Sequence, residues 1–231
     1  MSLTIALVTG ASSGLGLACA REFTSRGIPV LMVSRNMEIS IAAKVQSGKT
    51  VSAYTMAADV GDPFDVQKIR KFVNSENYQV KWLVNNAGAG RFGEIGKYSS
   101  QDIEETLNGN LKGLIYMSQA FVDMVIANDG VICNVMSTAA LNSRPQETVY
   151  TAAKWGARGF TEALRAELKG KTIKIMAVYP GGMNSNFWDE SRHYVPDSSK
   201  FMDPSAVADR IVSNILDVKS CQVSDITINR P

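Results

Sequence analysis

Short β-prone runs recur from one end of the chain to the other, most of them followed by a helix-length segment. This alternation restricts the fold more than any other feature. The runs are Leu3–Val8, Pro29–Val33, Val51–Ala57, Trp82–Val84, Val131–Met136, Ile173–Val178 and Gln222–Ile228, and the helical patterns are Leu17–Arg26, Phe64–Asn74, Gln101–Ile126, Val149–Lys169 and Pro204–Asp217. A continuous apolar run such as Pro29–Val33 suits a strand covered on both faces, which a sheet between two helix layers provides. With right-handed crossovers, the alternation predicts an α/β fold. The expected architecture is a doubly wound parallel sheet of about seven strands, in the order 3-2-1-4-5-6-7, with helices on both faces. Ser99 followed by Asp102 predicts a capping box at the start of the longest helix. No linker, internal repeat or low-complexity segment divides residues 1–231, so a single domain is expected. The one long connection, Gly181–Asp203, is polar but carries Phe187, Trp188, Tyr194 and Phe201. Loops of that length in compact domains are usually functional, and residues 182–203 are expected to form a lid.

Composition removes several function classes. A net charge of +2 leaves no electrostatic footprint for nucleic acid or an anionic membrane. Cys19, Cys133 and Cys221 are far apart, without CxxC spacing, and imply thiols in a reducing compartment. A single histidine, His193, speaks against a His-based metal cluster or a Ser-His-Asp triad, so no metal is expected. With no signal-peptide pattern and no span-length apolar stretch, the expected location is the cytoplasm.

Two local patterns carry chemistry. Thr9-Gly10-Ala11-Ser12-Ser13-Gly14-Leu15-Gly16 leaves a strand and opens a helix, the context of a phosphate-cradling glycine loop. Gly10 permits the tight exit, while Gly14 and Gly16 let the backbone approach a pyrophosphate held by the free amides of the helix start. The second strand ends in Ser34-Arg35-Asn36, where NAD-specific sites place an acid for the ribose 2′-hydroxyl. Arg35 can instead clamp a 2′-phosphate bidentately, so NADP(H) is expected over NAD(H). The second pattern is Tyr150-Thr151-Ala152-Ala153-Lys154, which puts a phenol and an ammonium one helical turn apart. Such a cation favours the phenolate and makes the tyrosine a general acid suited to carbonyl/alcohol interconversion.

With these residues in hand, the chain resembles the short-chain dehydrogenase/reductase family, in its compact single-domain, Rossmann-like branch. The likeness covers nearly the whole length and rests on motifs in order: the glycine loop, Asp59-Val60, Asn85-Asn86-Ala87-Gly88, Asn110-Leu111-Lys112-Gly113, Ser137, Tyr150 with Lys154, and Pro180-Gly181. Ser137 stands thirteen positions before Tyr150, the usual family interval.

The resemblance implies that Asp59 and Val60 border the adenine. Asn86, Ala87 and Gly88 would lie beside the nicotinamide ribose, and Asn85 would tie neighbouring strands. Pro180, Gly181, Met183 and Ser185 would hold the nicotinamide. Ser137 would hydrogen-bond the substrate carbonyl, Tyr150 would donate the proton, Lys154 would bind the ribose, and Asn110 would hold a water leading to solvent. Met136 stands where a second serine is common, Ser185 where threonine is usual, and an acidic-glycine tail is lacking. A homo-oligomer is expected, dimer or tetramer, with the helices from Gln101 and Val149 pairing across a two-fold axis.

The substrate is expected to be a small carbonyl or alcohol bordered by Thr138–Gln146 and the lid, with Met183, Phe187 and Trp188 forming an apolar pocket. Arg91 and Arg144 are candidates for recognising an anionic group. The alternative to an NADPH-dependent carbonyl reductase is a non-catalytic NADP-binding sensor on the same fold.

Overall fold

At the middle of the sheet, β1 (Leu3–Thr9) pairs in parallel with β2 (Val30–Ser34) on one side and β4 (Tyr78–Asn85) on the other. Beyond β2 lies β3 (Ala53–Ala57), and beyond β4 follow β5 (Val131–Val135), β6 (Lys174–Pro180) and β7 (Asp225–Ile228). All pairings are parallel, as the alternation predicts, and the order is β3-β2-β1-β4-β5-β6-β7, the one expected of a Rossmann-like sheet. This computed structural model describes residues 2–38, 42, 45, 51–188, 199–217 and 221–230. Ten residues of the expected lid, 189–198, among them His193 and Tyr194, therefore lie outside the described residues.

Helices cover both faces because the strands are apolar on both. In β1, Ala6 and Val8 pack under α1 (Gly14–Ser25) and α6 (Pro204–Leu216), with Phe23 and Ile211 in the same layer. Ile5 and Leu7 point the other way, towards α2 (Pro63–Ser75), α4 (Gly113–Ala127) and α5 (Thr148–Glu167), alongside Ile69, Phe121 and Leu164. Each fully buried aliphatic side chain contributes roughly 1.5–3 kcal/mol. Asp62 and Asp203 cap α2 and α6, each ahead of a proline at the first helical position. The Ser99–Asp102 capping box opens α3 (Ser100–Leu107) as expected.

Most ends shift by a few residues from the sequence expectation, and three departures have a clear physical cause. The single helix expected over Gln101–Ile126 is two, α3 and α4, joined by a π-turn at Asn108–Lys112. Asn110 lies within it and donates from Nδ2 to the Thr106 carbonyl at 2.8 Å, competing with the backbone ladder. β4 starts at Tyr78, well before Trp82, because Gln79 and Lys81 interrupt its apolar pattern. The last strand shrinks to Asp225–Ile228, at the sheet edge, where only β6 offers pairing.

Connections leave β1 in opposite directions, outward through β2 and β3 and back to β4, so their loops part above the sheet. That divergence opens a trough at the C-terminal ends of the strands, where open α/β sheets hold ligands.

Candidate active site

Thr9 fastens the two strand ends that frame the trough. Its Oγ1 donates to the Val84 carbonyl at 3.3 Å and accepts the Asn86 and Ala87 amides, each at 3.0 Å, which uses its full hydrogen-bonding capacity. Asn86 returns the contact, donating from Nδ2 to the Thr9 carbonyl at 3.0 Å. The Asn86 side chain therefore supports the loop from below as well as lining the trough. Gly10 takes φ 65°, and a Cβ there would stand 2.8 Å from the Ala87 Cα. A Cβ on Gly16 would come within 2.3 Å of the Gly10 carbonyl oxygen, so the start of α1 rests directly on its own loop. Ser13, ahead of α1, makes no side-chain cap, and the positive end of the helix opens into the trough beside Gly14 and Leu15.

The trough has two lobes that share Gly10 and Gly88, which suits an extended ligand. The smaller lobe is bordered by Ser34, Arg35, Asp59, Val60 and Ala87. Asp59 accepts the Gly61 amide on Oδ1 at 2.8 Å, so half of its carboxylate caps a turn. Ser12 does not line either lobe; its hydroxyl pairs with that of Ser34 at 2.9 Å. Asn36 is exposed outside both lobes, and Gly16 lies buried beneath the first.

A carboxylate does reach the smaller lobe, contrary to what the end of the second strand implies. It is Glu105, which arrives from α3. Hydrogen bonds from Arg91 and Gln101 hold its carboxyl below the usual range, and the charge of Arg35 acts in the same direction. Arg91, bound to Glu105 at 2.9 Å and to Asp102 at 3.4 Å, is thus neutralised and not available as an anion receptor.

The larger lobe gathers Ser137, Tyr150 and Lys154, together with Pro180, Gly181, Met183 and Ser185. Ser137 leaves β5 in extended conformation and its Oγ accepts the Ala139 amide at 3.1 Å. No described acceptor takes its own proton, which leaves the hydroxyl able to donate into the lobe. Tyr150, on the first turn of α5, is 7% exposed, its ring edge-on to Phe92 at 5.4 Å. Lys154 is 4% exposed, one turn on, with Nζ 5.6 Å from the tyrosine ring centroid and 3.3 Å from the Val135 carbonyl it donates to. Burial pushes its ammonium down to about 8.

Asn110, buried in the π-turn, also donates to the Ala89 carbonyl. Its Oδ1 is buried without a described partner on the wall of this lobe, beside Gly88, and such an orphan acceptor invites a donor from a ligand or water. The aromatic wall is Phe187 and Trp188, both packed on Phe92, while Thr138 borders the mouth. Asn85 joins β4 to β5 and α4 through Asn134 Oδ1 at 2.9 Å and Ser118 Oγ at 3.1 Å, the tie expected of it.

Thr9, the Val135 carbonyl, Arg144 as a rim residue and Glu147 belong to the trough or its support. Of these, the sequence pointed to Arg144 as a binding residue and to Thr9 only as the start of the glycine loop. For Glu147 a signal existed: a carboxylate three positions before the tyrosine, on the helical side that faces the lobe.

Residues 4–195 match the family described as short chain dehydrogenase. The chain is similar to a protein named sepiapterin reductase from Chlorobaculum tepidum, with 30% identity over 238 residues, 97% of this chain and 95% of that one. A solved short-chain dehydrogenase/reductase from Vibrio parahaemolyticus superposes with a TM-score of 0.83 at 30% identity, covering 99% of this chain and 100% of its own. A serine dehydrogenase solved in closed form with NADP+ superposes at 0.86 with 25% identity, covering 97% and 94%.

Proposed function

The chain belongs to the short-chain dehydrogenase/reductase family of oxidoreductases, and on that footing we propose that it reduces a carbonyl compound to an alcohol with NADPH, reversibly. The observation that carries this is the convergence of Ser137, Tyr150 and Lys154 on one lobe of a trough that begins at the glycine loop. NADP(H) would lie along the trough, with its pyrophosphate at the start of α1 and its 2′-phosphate at Arg35, and when bound it supplies the hydride. The pieces fit such a group: the start of α1 opens uncapped into the trough beside Gly14, and the Asn110 acceptor on its wall awaits a partner. The NADP+ complex of the serine dehydrogenase supports the choice of cofactor.

In this reading Ser137 donates its hydroxyl proton as a hydrogen bond to the substrate carbonyl oxygen, where negative charge develops. Tyr150 transfers its phenolic proton to that oxygen, completing the alcohol and leaving a phenolate. The Lys154 ammonium, one turn away, stabilises that phenolate and binds the ribose. Asn110 holds a water through Oδ1 that leads from Lys154 towards solvent. Asp59 and Val60 border the adenine, and Asn86, Ala87 and Gly88 flank the nicotinamide ribose. Met183, Ser185, Pro180 and Gly181 hold the nicotinamide. Thr138, Phe187 and Trp188 border the substrate, and residues 182–203 act as its lid. The whole chain then acts as one catalytic domain, working as a homodimer.

Tyr150→Phe is the direct test. NADPH oxidation against a panel of ketones, aldehydes and oxoacyl thioesters is expected to fall by at least about 10²-fold, the range of a lost general acid. Calorimetric binding of NADPH is expected to persist. Turnover retained by the variant refutes the assignment.

A further inference from the structure

Glu147 is a carboxylate in the trough for which neither the fold nor the proposed chemistry has a use. It is only 7% exposed and lines the larger lobe beside Tyr150 and Thr138. It stands just ahead of α5, where a side chain could cap the helix, yet it makes no such bond. Its backbone carbonyl alone serves the helix, accepting the Thr151 amide at 2.7 Å. Among the described residues only burial and the charge of Arg144 act on its carboxyl group, with no hydrogen bond to it. Burial pushes that carboxyl above the usual range, and the charge of Arg144, acting without contact, offsets part of the rise.

The preceding residue, Gln146, has φ 65°, a left-handed conformation that strains a non-glycine residue. Its carbonyl is fixed by the Gly93 amide at 2.9 Å and the Tyr98 hydroxyl at 3.2 Å. The turn that presents Glu147 to the lobe is therefore held from outside. A carboxylate stripped of part of its water inside a pocket, with no fixed cation to replace it, is unfavourable, and a cation brought by a ligand relieves that cost.

We propose that Glu147 binds a protonated amine of the substrate, so that the enzyme prefers ketones and alcohols bearing an ammonium group a few bonds from the reacting carbon. The inference rests on the carbonyl-reductase reading above and names its substrate class. Residues three apart at a helix start share a face, with Cβ atoms about 5–6 Å apart, which fits a short spacer between ammonium and carbonyl. Phe187 and Trp188 complete the site with an aromatic wall suited to the hydrocarbon part and tolerant of a cation.

The test compares 3-aminopropiophenone with butyrophenone, in which a methyl group replaces the ammonium. Wild-type kcat/KM with NADPH at neutral pH is expected to favour the aminoketone by about tenfold or more, the scale of one charge-assisted hydrogen bond. Glu147→Gln is expected to bring the ratio to about one or below, Glu147→Asp to restore part of it, and Arg144→Ala, which removes the competing cation, to raise it. A structural role for Glu147 would lower both rates together and leave the ratio unchanged. Calorimetric binding of both ketones to the Tyr150→Phe protein loaded with NADPH repeats the comparison without turnover. An aminoketone preference there, in a protein inactive on both ketones, supports Glu147. Turnover persisting in Tyr150→Phe counts against the proton donor alone. A wild-type ratio at or below one, or a ratio that Glu147→Gln leaves unchanged, overturns the proposal.

Discussion

Lys154 keeps an ammonium inside the protein with one carbonyl, that of Val135, as its hydrogen-bond partner among the described residues. Its pKa, near 8 in the fold, is depressed from the 10.5 of a free lysine, so between those values the unfolded chain binds more protons. Stability from this group is therefore lowest below pH 8 and rises as pH climbs to about 10.5. Lys154→Met is expected to raise the melting temperature of the cofactor-free protein at pH 7, with the gain shrinking over that window, while abolishing turnover. Thermal scans of both proteins across pH check this; a gain that grows with pH contradicts it. At the smaller lobe, Arg35→Ala is expected to lower the NADPH/NADH ratio of kcat/KM by about tenfold or more, the weight of a bidentate charged contact. An unchanged ratio removes Arg35 from the 2′-phosphate. Side chains that local spacing brings together, Tyr150 with Lys154 above all, were legible in the sequence as neighbours. The Val135 carbonyl and the Arg91–Glu105 pair were not, because a backbone acceptor leaves no mark in residue type and the pair joins a loop to a helix fourteen positions on.

The π-turn at Asn108–Lys112 is where element and site meet, since it turns Asn110 inward between Ala89 and Thr106. Asn110→Leu is expected to cost about 1–3 kcal/mol in denaturant unfolding, because the Ala89 carbonyl loses its donor. Activity is expected to fall as well. A variant of wild-type stability would mean that the turn holds itself without this side chain. The sequence did not reveal the break, because α3 and α4 read as one helical pattern across Asn110. β4 was underestimated for a related reason: Gln79 and Lys81 break its apolar run, although Val80 between them is fully buried. Where a strand is sandwiched throughout, as in β2, the apolar run and the strand nearly coincide.

At the scale of the molecule, chain alternation and crossover handedness pointed to a doubly wound parallel sheet, and the strand order is that of the Rossmann-like fold the chain resembles, whereas the position of Glu105 beside Arg35 needed the folded chain. Cys19 and Cys133 share one core layer, with burial pushing Cys19 up to about 12, while Cys221 is exposed. A native thiol titration with an aromatic disulfide reagent is expected to count one fast thiol, with two more appearing at the rate of global opening. Fast reaction of all three would place those thiols near the surface. Trp155, 45% exposed on α5, is expected to lie in the two-fold contact proposed above, so Trp155→Glu should lower the mass seen in sedimentation. A mass unchanged by the substitution would exclude that face. The central place of β1 also has a bearing on biosynthesis. Both its neighbours lie downstream, and the farther one ends only at Asn85. At translation rates of about 5–20 residues per second, β1 waits several seconds after β2 for its second partner. Through that interval a bare aliphatic edge faces the crowded cell, and nascent-chain chaperones have their clearest reason to engage this protein there.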